Sequence, residues 1–210
     1  MLRFHDDTLG LGLDLGRMGL TDADLNDPAL DGAVADMAAL EAGAIANPDE
    51  GRQVGHYWLR APELAPKEAA EAVRGSWEAL DALAGTLAGR FDTALLVGIG
   101  GSALGPMFLA DALGVGPGGM ALRVLDNTDP DGFDRVLAGV NLGRAVTLVF
   151  SKSGGTQETR NGMLEVAAAY RRAGLNFAEH AVALTCAGSA LDREAEAAGW
   201  LARLPMWDWV

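Results

Sequence analysis

Short apolar runs and longer amphipathic stretches alternate along the chain after residue 90. A short apolar run bounded by glycine or polar residues indicates a buried strand, and apolar residues at helical spacing indicate a helix. Strands are predicted at 93–98, 121–126, 145–150, 180–185 and 200–204. Helices are predicted at 102–113, 131–139, 156–173 and 189–198. Strands that are almost wholly apolar are typical of a sheet covered on both faces, so the pattern predicts an α/β fold with a doubly wound, five-stranded parallel sheet.

The first part of the chain has a different pattern, in which helical spacing dominates. Glycines interrupt the leucine-rich stretch 1–20, which we expect to form an extended arm or a short hairpin. Apolar spacing predicts one helix over 28–46 and another that begins at Pro66. The sequence therefore divides into a helical N-terminal segment, 1–90, that packs on the core, and an α/β domain, 91–210.

Composition and charge narrow the classes of partner. Half of the residues are apolar, enough for a packed core, and the formal net charge is −13. So acidic a chain does not suit nucleic acid, whose phosphate backbone needs a basic face. No apolar run approaches the ~20 residues of a membrane span and no apolar leader opens the chain, so we expect neither a membrane partner nor export.

The cysteine and histidine content bears on compartment and metals. The single cysteine, Cys186, fits a reducing compartment, so we expect a cytoplasmic protein. The three histidines, His5, His56 and His180, stand alone, without cysteine or carboxylate at ligand spacing. We therefore expect no metal site.

A glycine turn follows the strand predicted at 93–98. Gly98-Ile99-Gly100-Gly101-Ser102 leads directly into a helix, whose first N–H groups favour an anion. Gly98, Gly100 and Ala103 also match a G-x-G-x-x-A spacing, and Asp126 ends the next strand at roughly the distance of a ribose-binding acid. A sugar-phosphate site, a dinucleotide site and a purely structural turn all remain open on this loop alone.

A second polar turn follows the strand predicted at 145–150. Ser151, Lys152, Ser153 and Thr156 lie within six residues, around two glycines. Hydroxyls and backbone N–H groups suit the oxygens of a phosphate, although Thr156 alone could be a helix cap. The G-x-x-x-x-G-K-[ST] spacing of nucleotide triphosphatases is absent. Because the carboxyl ends of parallel strands meet at one edge, the two turns predict one shared crevice, and the second turn favours a sugar phosphate over a dinucleotide.

With these two loops, the sequence resembles the glucose-6-phosphate isomerase family. The resemblance covers most of the chain from about Asp49, in the same order, and rests on five motifs, VGHYWLR (54–60), VGIGGSALGP (97–106), NTDPD (127–131), FSKSGGTQET (150–159) and MWDWV (206–210). The family interconverts an aldose phosphate and a ketose phosphate by moving a proton between C1 and C2 through a cis-enediol. A carboxylate base suffices for that step, so the resemblance implies no cofactor and no metal.

The resemblance also implies roles for individual residues. Ser151, Lys152, Ser153 and Thr156 would hold the phosphate through hydroxyls and backbone N–H groups. The substrate's sugar would contact Gly101 and Ser102, and Glu158 would orient a catalytic histidine. The pair Gly154-Gly155 departs from the bulkier or hydroxylated residues often found there, which we expect to make the turn more flexible.

The family's remaining catalytic groups come after the stretch that resembles MWDWV. A Gly-Gly-Arg segment follows there, and the glutamate base, the ring-opening histidine and a lysine come later still. The chain is therefore expected to be the N-terminal part of an isomerase, inactive alone and homodimeric when complete. A non-catalytic module that binds a sugar phosphate remains the alternative, and a dinucleotide-binding domain is a further one.

Overall fold

Two compact units make up the chain. The computed structural model describes residues 2–210; its first unit ends at Pro66 and its second spans Lys67–Val210. The long helix predicted to begin at Pro66 belongs to the second unit. The predicted packing of residues 1–90 on the sheet domain stays a prediction.

The first unit combines short helices with two small antiparallel sheets. Its elements are β1 (Arg3–Asp6), β2 (Leu11–Asp14), α1 (Asp22–Leu25), α2 (Pro28–Glu41), β3 (Ile45–Asn47) and β4 (Arg52–Gln53). Strands β1 and β2 form the hairpin that was one of the two expected forms of residues 1–20. Helix α2 starts where predicted, because the Asp27 carboxylate accepts the Ala29 N–H and Pro28 occupies the first turn.

Helix α2 is shorter than predicted. It ends at Glu41 instead of residue 46, and Gly43 follows with a φ of +91°. That left-handed conformation suits glycine and turns the chain into β3. The motif VGHYWLR, one of the five that carry the family resemblance, forms a turn of 3₁₀-helix at His56–Leu59 with Trp58 buried.

The second unit is the predicted α/β domain. Its helices and strands, in chain order, are α3 (Lys67–Leu87), β5 (Thr93–Val97), α4 (Gly101–Leu113), β6 (Ala121–Leu125), α5 (Pro130–Ala138), β7 (Ala145–Phe150), α6 (Gln157–Arg172), β8 (Ala181–Cys186), α7 (Ala190–Ala198) and β9 (Ala202–Met206). The five strands pair in parallel in the order β6-β5-β7-β8-β9. The doubly wound parallel sheet is therefore confirmed, with bounds that differ from the prediction by at most two residues.

Apolar clusters cover both faces of this sheet. On one face, side chains of α5, α6 and α7 such as Phe133, Val166 and Leu191 pack on Leu95, Val97 and Val149. On the other face, Leu87 at the end of α3 and nearby Phe91 pack with Ala94 and Val146. Helix α4 connects β5 to β6, which lies on the side of β5 away from β7, whereas the later connections run toward β9. Because crossovers are right-handed, α4 lies on the face opposite to α5, α6 and α7, which is the face of α3.

Helix α4 is held mainly at its first turn. Among its residues only Ala103 is buried, whereas Phe108 and Leu113 are 71% and 79% exposed. The run was predicted to be amphipathic, with one face in the core. The end of α4 that packs closely is the end that follows β5, and that is the end beside the predicted crevice. Within residues 2–210, no helix is long and apolar enough to cross a membrane.

We predict that Gly162→Ala destabilises the protein although alanine favours helices. A Cβ at Gly162, inside α6, would lie 2.9 Å from Val97 Cγ1 and 3.2 Å from Phe133 Cζ. Overpacking of this kind costs about 1–3 kcal/mol, more than the ~0.5–1 kcal/mol gained in helix propensity. Urea unfolding measures the net change.

Gly75→Ala is the matched control, because Gly75 lies inside α3 and a Cβ there would meet no atom within 4 Å. This control is expected to gain about 0.5–1 kcal/mol. A comparable gain from Gly162→Ala would contradict the close packing of α6 on β5.

Candidate functional site

The strand order places the two predicted loops side by side. Strand β5 pairs with β6 on one side and β7 on the other, and chain order reverses between β5 and β7. A ligand of an open α/β sheet binds at such a switch point, at the carboxyl ends of the strands. The glycine turn follows β5 and the serine-rich turn follows β7, so both predicted loops meet there.

Gly98 allows the two loops to approach closely. A Cβ on this residue would lie 3.0 Å from Ser102 Cβ and 3.2 Å from both Phe150 Cβ and the Phe150 carbonyl oxygen. Phe150 is the last residue of β7, directly before the second loop. The Gly98 N–H donates to the Leu125 carbonyl at 3.2 Å, which extends the pairing with β6 by one residue.

The first loop ends in a helix N-terminus. Gly100 precedes α4 with a φ of +56°, a conformation that favours glycine. The predicted sugar-contacting residues, Gly101 and Ser102, are the first two residues of α4; Gly101 is exposed and Ser102 half-buried. The Ser102 N–H donates to the Ile99 carbonyl, whereas a first-turn amide such as that of Gly101 has no acceptor within the helix.

Hydroxyls cluster in the second loop. Ser151 is buried at 4% exposure, and its Oγ donates to Thr156 Oγ1 at 3.2 Å. Exposed Ser153 turns its Oγ back toward the loop, where it accepts the Gly155 N–H at 3.2 Å. Thr156 precedes α6 but, among the described residues, its hydroxyl makes no capping bond to the helix. Three hydroxyls thus gather at a helix start without serving as its cap, an arrangement suited to a tetrahedral anion.

Lys152 connects this loop to its neighbours by both of its ends. Its carbonyl accepts the Cys186 N–H at 3.0 Å, and its ammonium donates to the carbonyls of Val210 at 2.8 Å and Asp208 at 3.4 Å. The structure therefore places the ammonium on the segment after β9 and leaves the backbone of Lys152 within the loop.

Gly154 is needed for close packing of the loop. Its φ is +67°, and a Cβ there would lie 2.6 Å from Ser189 Oγ and 2.8 Å from the Leu191 nitrogen. The glycine pair was expected to make the turn flexible. Instead, Gly154 lets the loop rest on the start of α7, and only Gly155 has open space beside it.

Glu158 lies in the first turn of α6. Its side chain is exposed, as suits an acid beside the positive end of a helix. Beneath the loop is a cavity of about 10 Å³, lined in part by Ser151, Thr156 and Arg160, with room for about one water molecule.

The structure adds two hydroxyls that the sequence reasoning did not assign to the site. Thr185 and Ser189 lie in and after β8, and their hydroxyl oxygens are 2.7 Å apart. Ser189 was interpreted only as the cap of α7, which it is, since its Oγ accepts the Asp192 N–H. The sequence could have indicated these hydroxyls, because a run of small and polar residues also follows β8. Among residues 2–210 no group of three or more His, Cys, Asp or Glu side chains is placed to hold a metal ion.

Fold and loops together define a class: a doubly wound α/β domain whose switch point carries a hydroxyl-rich loop at a helix N-terminus. A family model described as "Phosphoglucose isomerase" matches residues 35–210. The chain belongs to the phosphoglucose isomerase family.

Similar proteins agree with this assignment. The chain is 55% identical to a glucose-6-phosphate isomerase of Geobacter sulfurreducens and 52% identical to one of Rippkaea orientalis, covering 100% and 99% of the chain. In both comparisons the chain spans 42% of the relative's length.

Solved structures show the same relation. A crystal structure of a glucose-6-phosphate isomerase from Chlamydia trachomatis has a TM-score of 0.76 at 30% identity, over 84% of this chain and 36% of the other. A hypothetical protein from Thermus thermophilus has a TM-score of 0.57 at 27% identity, over 84% of this chain and 40% of the other.

We predict that Gly154→Ala deforms the second loop. The substitution places a methyl group in a left-handed conformation and against the backbone of α7, a strain of about 1–3 kcal/mol before any repacking. Urea unfolding should therefore show a loss of stability, and the amides of 151–156 should exchange faster with deuterium. Gly155→Ala is the control, since its Cβ would meet only Ser153 Oγ at 3.9 Å. Equal effects of the two substitutions would contradict this packing.

We predict that Asp192 makes stability depend on pH. The Gly188 N–H bond at 2.8 Å, assisted by Arg203 at 2.9 Å, lowers the pKa of the Asp192 carboxyl. A lowered pKa favours the charged form in the folded state. Its contribution is present above the unfolded pKa of about 3.9 and is lost as pH falls through the folded value.

The free energies of unfolding of wild type and Asp192→Asn test this. The gap between them should be largest near neutral pH and should shrink below about pH 4. A gap of the same size at pH 7 and pH 3 would show that the carboxylate charge plays no part.

Proposed function

We propose that this chain is the N-terminal part of a glucose-6-phosphate isomerase and that it binds the phosphate of the sugar. The observation that carries the proposal is the cluster of three hydroxyls, on Ser151, Ser153 and Thr156, at the switch point and at the start of α6. Family membership supports the substrate class, because the relatives that match the whole chain are named for glucose 6-phosphate.

Short-range groups do the binding in this proposal. The net charge of −13 opposes an anionic substrate at long range, so affinity relies on hydroxyls, amides and helix N-termini close to the phosphate. Ser151, Ser153 and Thr156 supply hydroxyls, and Lys152 supplies its backbone N–H. These donors and a phosphate form charge-assisted bonds, which are stronger than bonds between neutral groups.

The sugar then extends along the carboxyl edge toward the first loop. Gly101 and Ser102, at the start of α4, contact its hydroxyls in this proposal. That position is supported by the close approach of Gly98 to Phe150, which brings the first loop beside the second.

The chemical step belongs to the complete protein. It moves a proton between C1 and C2 through a cis-enediol, for which a carboxylate base suffices and no cofactor is needed. Glu158 would orient a histidine supplied from beyond residue 210, and the base would come from there too. We further infer a cytoplasmic homodimer.

Two alternatives use the same edge of the sheet. A non-catalytic module would bind the sugar phosphate without turnover. A dinucleotide domain would use Gly98, Gly100 and Ala103 with Asp126, whose carboxylate accepts the Asn127 side-chain N–H at 3.0 Å. The hydroxyl cluster after β7 favours the sugar phosphate, because a dinucleotide site has no need of it.

The test is a double substitution, Ser153→Ala with Thr156→Ala, in the full-length protein. Two hydrogen bonds to a charged group are worth about 3 kcal/mol or more together, so KM for fructose 6-phosphate should rise about 100-fold or more. Isomerase assays measure KM, and calorimetry measures binding of the sugar phosphate and of NAD.

Thr86→Ala is the control, since it removes an exposed hydroxyl from α3 that donates to the Ala82 carbonyl within the same helix. A KM of the double variant within threefold of wild type would overturn the assignment of the loop. Binding without turnover in the wild type would favour the non-catalytic module, and binding of NAD alone would favour the dinucleotide domain.

A further inference from the structure

Lys152 is one of only two lysines in the sequence, and both its backbone and its side chain bond to neighbouring elements. Its carbonyl oxygen accepts the Cys186 N–H at 3.0 Å and the Thr185 hydroxyl at 3.4 Å. Its ammonium donates to the Val210 carbonyl at 2.8 Å and the Asp208 carbonyl at 3.4 Å. One residue thereby joins the loop after β7 to the end of β8 and to the segment after β9.

We propose that the side chain of Lys152 is a positioning group, which fixes segment 206–210 beside the loop 151–156, here called the phosphate loop. In this proposal the ammonium of Lys152 is not the phosphate ligand. The proposal rests on the proposed function for the identity of the substrate. The backbone of Lys152 then belongs to the phosphate loop, and its side chain holds segment 206–210, which forms the neighbouring side of the site.

The chemistry of the ammonium supports this division. An ammonium has three N–H donors, and two of them already have carbonyl acceptors in segment 206–210. Bonds from a charged donor are the stronger class, so moving the ammonium toward a phosphate would strain or break the two bonds that it already makes. The neighbouring hydroxyls of Ser151, Ser153 and Thr156 need no such exchange.

Segment 206–210 is packed through its two tryptophans. The rings of Trp207 and Trp209 stack with centroids 4.9 Å apart and an interplanar angle of 14°. Trp209 is 9% exposed. The segment begins at the last residue of β9, so it starts at the same edge of the sheet as the phosphate loop.

The backbone hydrogen bonds that shape the phosphate loop do not involve the lysine side chain. The Ser151 N–H donates to the Leu184 carbonyl, the Gly154 N–H to the Ser151 carbonyl, and the Cys186 N–H to the Lys152 carbonyl. These bonds are all between backbone groups. Removing the ammonium should therefore release segment 206–210 and leave the phosphate donors in place, which separates the positioning role from the binding role.

The experiment compares wild type, Lys152→Met and Lys152→Arg in the full-length protein. Inorganic phosphate serves as a competitive inhibitor that reports on the loop alone. We expect Lys152→Met to change the phosphate inhibition constant less than threefold, to lower kcat at least tenfold, and to speed hydrogen exchange in 206–210 at least tenfold. If segment 206–210 is misplaced, the sugar is held in a less reactive orientation and kcat falls, even when the phosphate stays bound. Lys152→Arg keeps the charge and the donors, and it should recover part of kcat and of the protection.

Lys67→Met is the matched control, because Lys67 is the other lysine, is exposed on α3, and only approaches Glu71 at 3.9 Å. A tenfold weaker inhibition by phosphate, with unchanged kcat and unchanged exchange in 206–210, would overturn the proposal and make the ammonium a phosphate ligand. If the wild type neither binds phosphate nor isomerises the sugar, the proposed function fails, while the exchange of 206–210 still decides the positioning role.

Discussion

The close approach of backbones at the carboxyl edge of the sheet is the constraint on which the candidate site depends. Gly98 lies against the end of β7, and Gly154 lies against the start of α7. At both positions a single methyl group would meet backbone atoms closer than ordinary contact distance. The loops after β5, β7 and β8 can therefore lie together only because these two residues have no side chain.

Close packing of this kind explains how an acidic protein can present an anion site. The second loop contributes hydroxyls to a helix N-terminus, where backbone dipoles favour negative charge. Gly154 packs the loop against Ser189 and Leu191 at the start of α7. The donors are thus held in place before a ligand arrives, and little ordering is left for binding to accomplish.

Much of this arrangement can be read from the sequence. Short apolar runs between glycine-bounded amphipathic stretches were enough to predict five parallel strands. The turns after β5 and β7 were predicted as binding loops from their content of glycine and hydroxyl residues. The order of the strands could not be read in this way, since apolar runs of equal length do not reveal their neighbours. The reason for Gly154 was also hidden, because it depends on Ser189, which is distant in the sequence. The destination of the Lys152 ammonium was missed for the same reason.

The central claim is that the loop after β7 holds the phosphate of a sugar phosphate. The most direct measurement is a crystal structure of the full-length protein with glucose 6-phosphate bound. The account predicts phosphate oxygens within hydrogen-bond distance of the hydroxyls of Ser151, Ser153 and Thr156, with the Lys152 ammonium still on the carbonyls of segment 206–210. A phosphate bound at the glycine turn after β5, away from those hydroxyls, would contradict it.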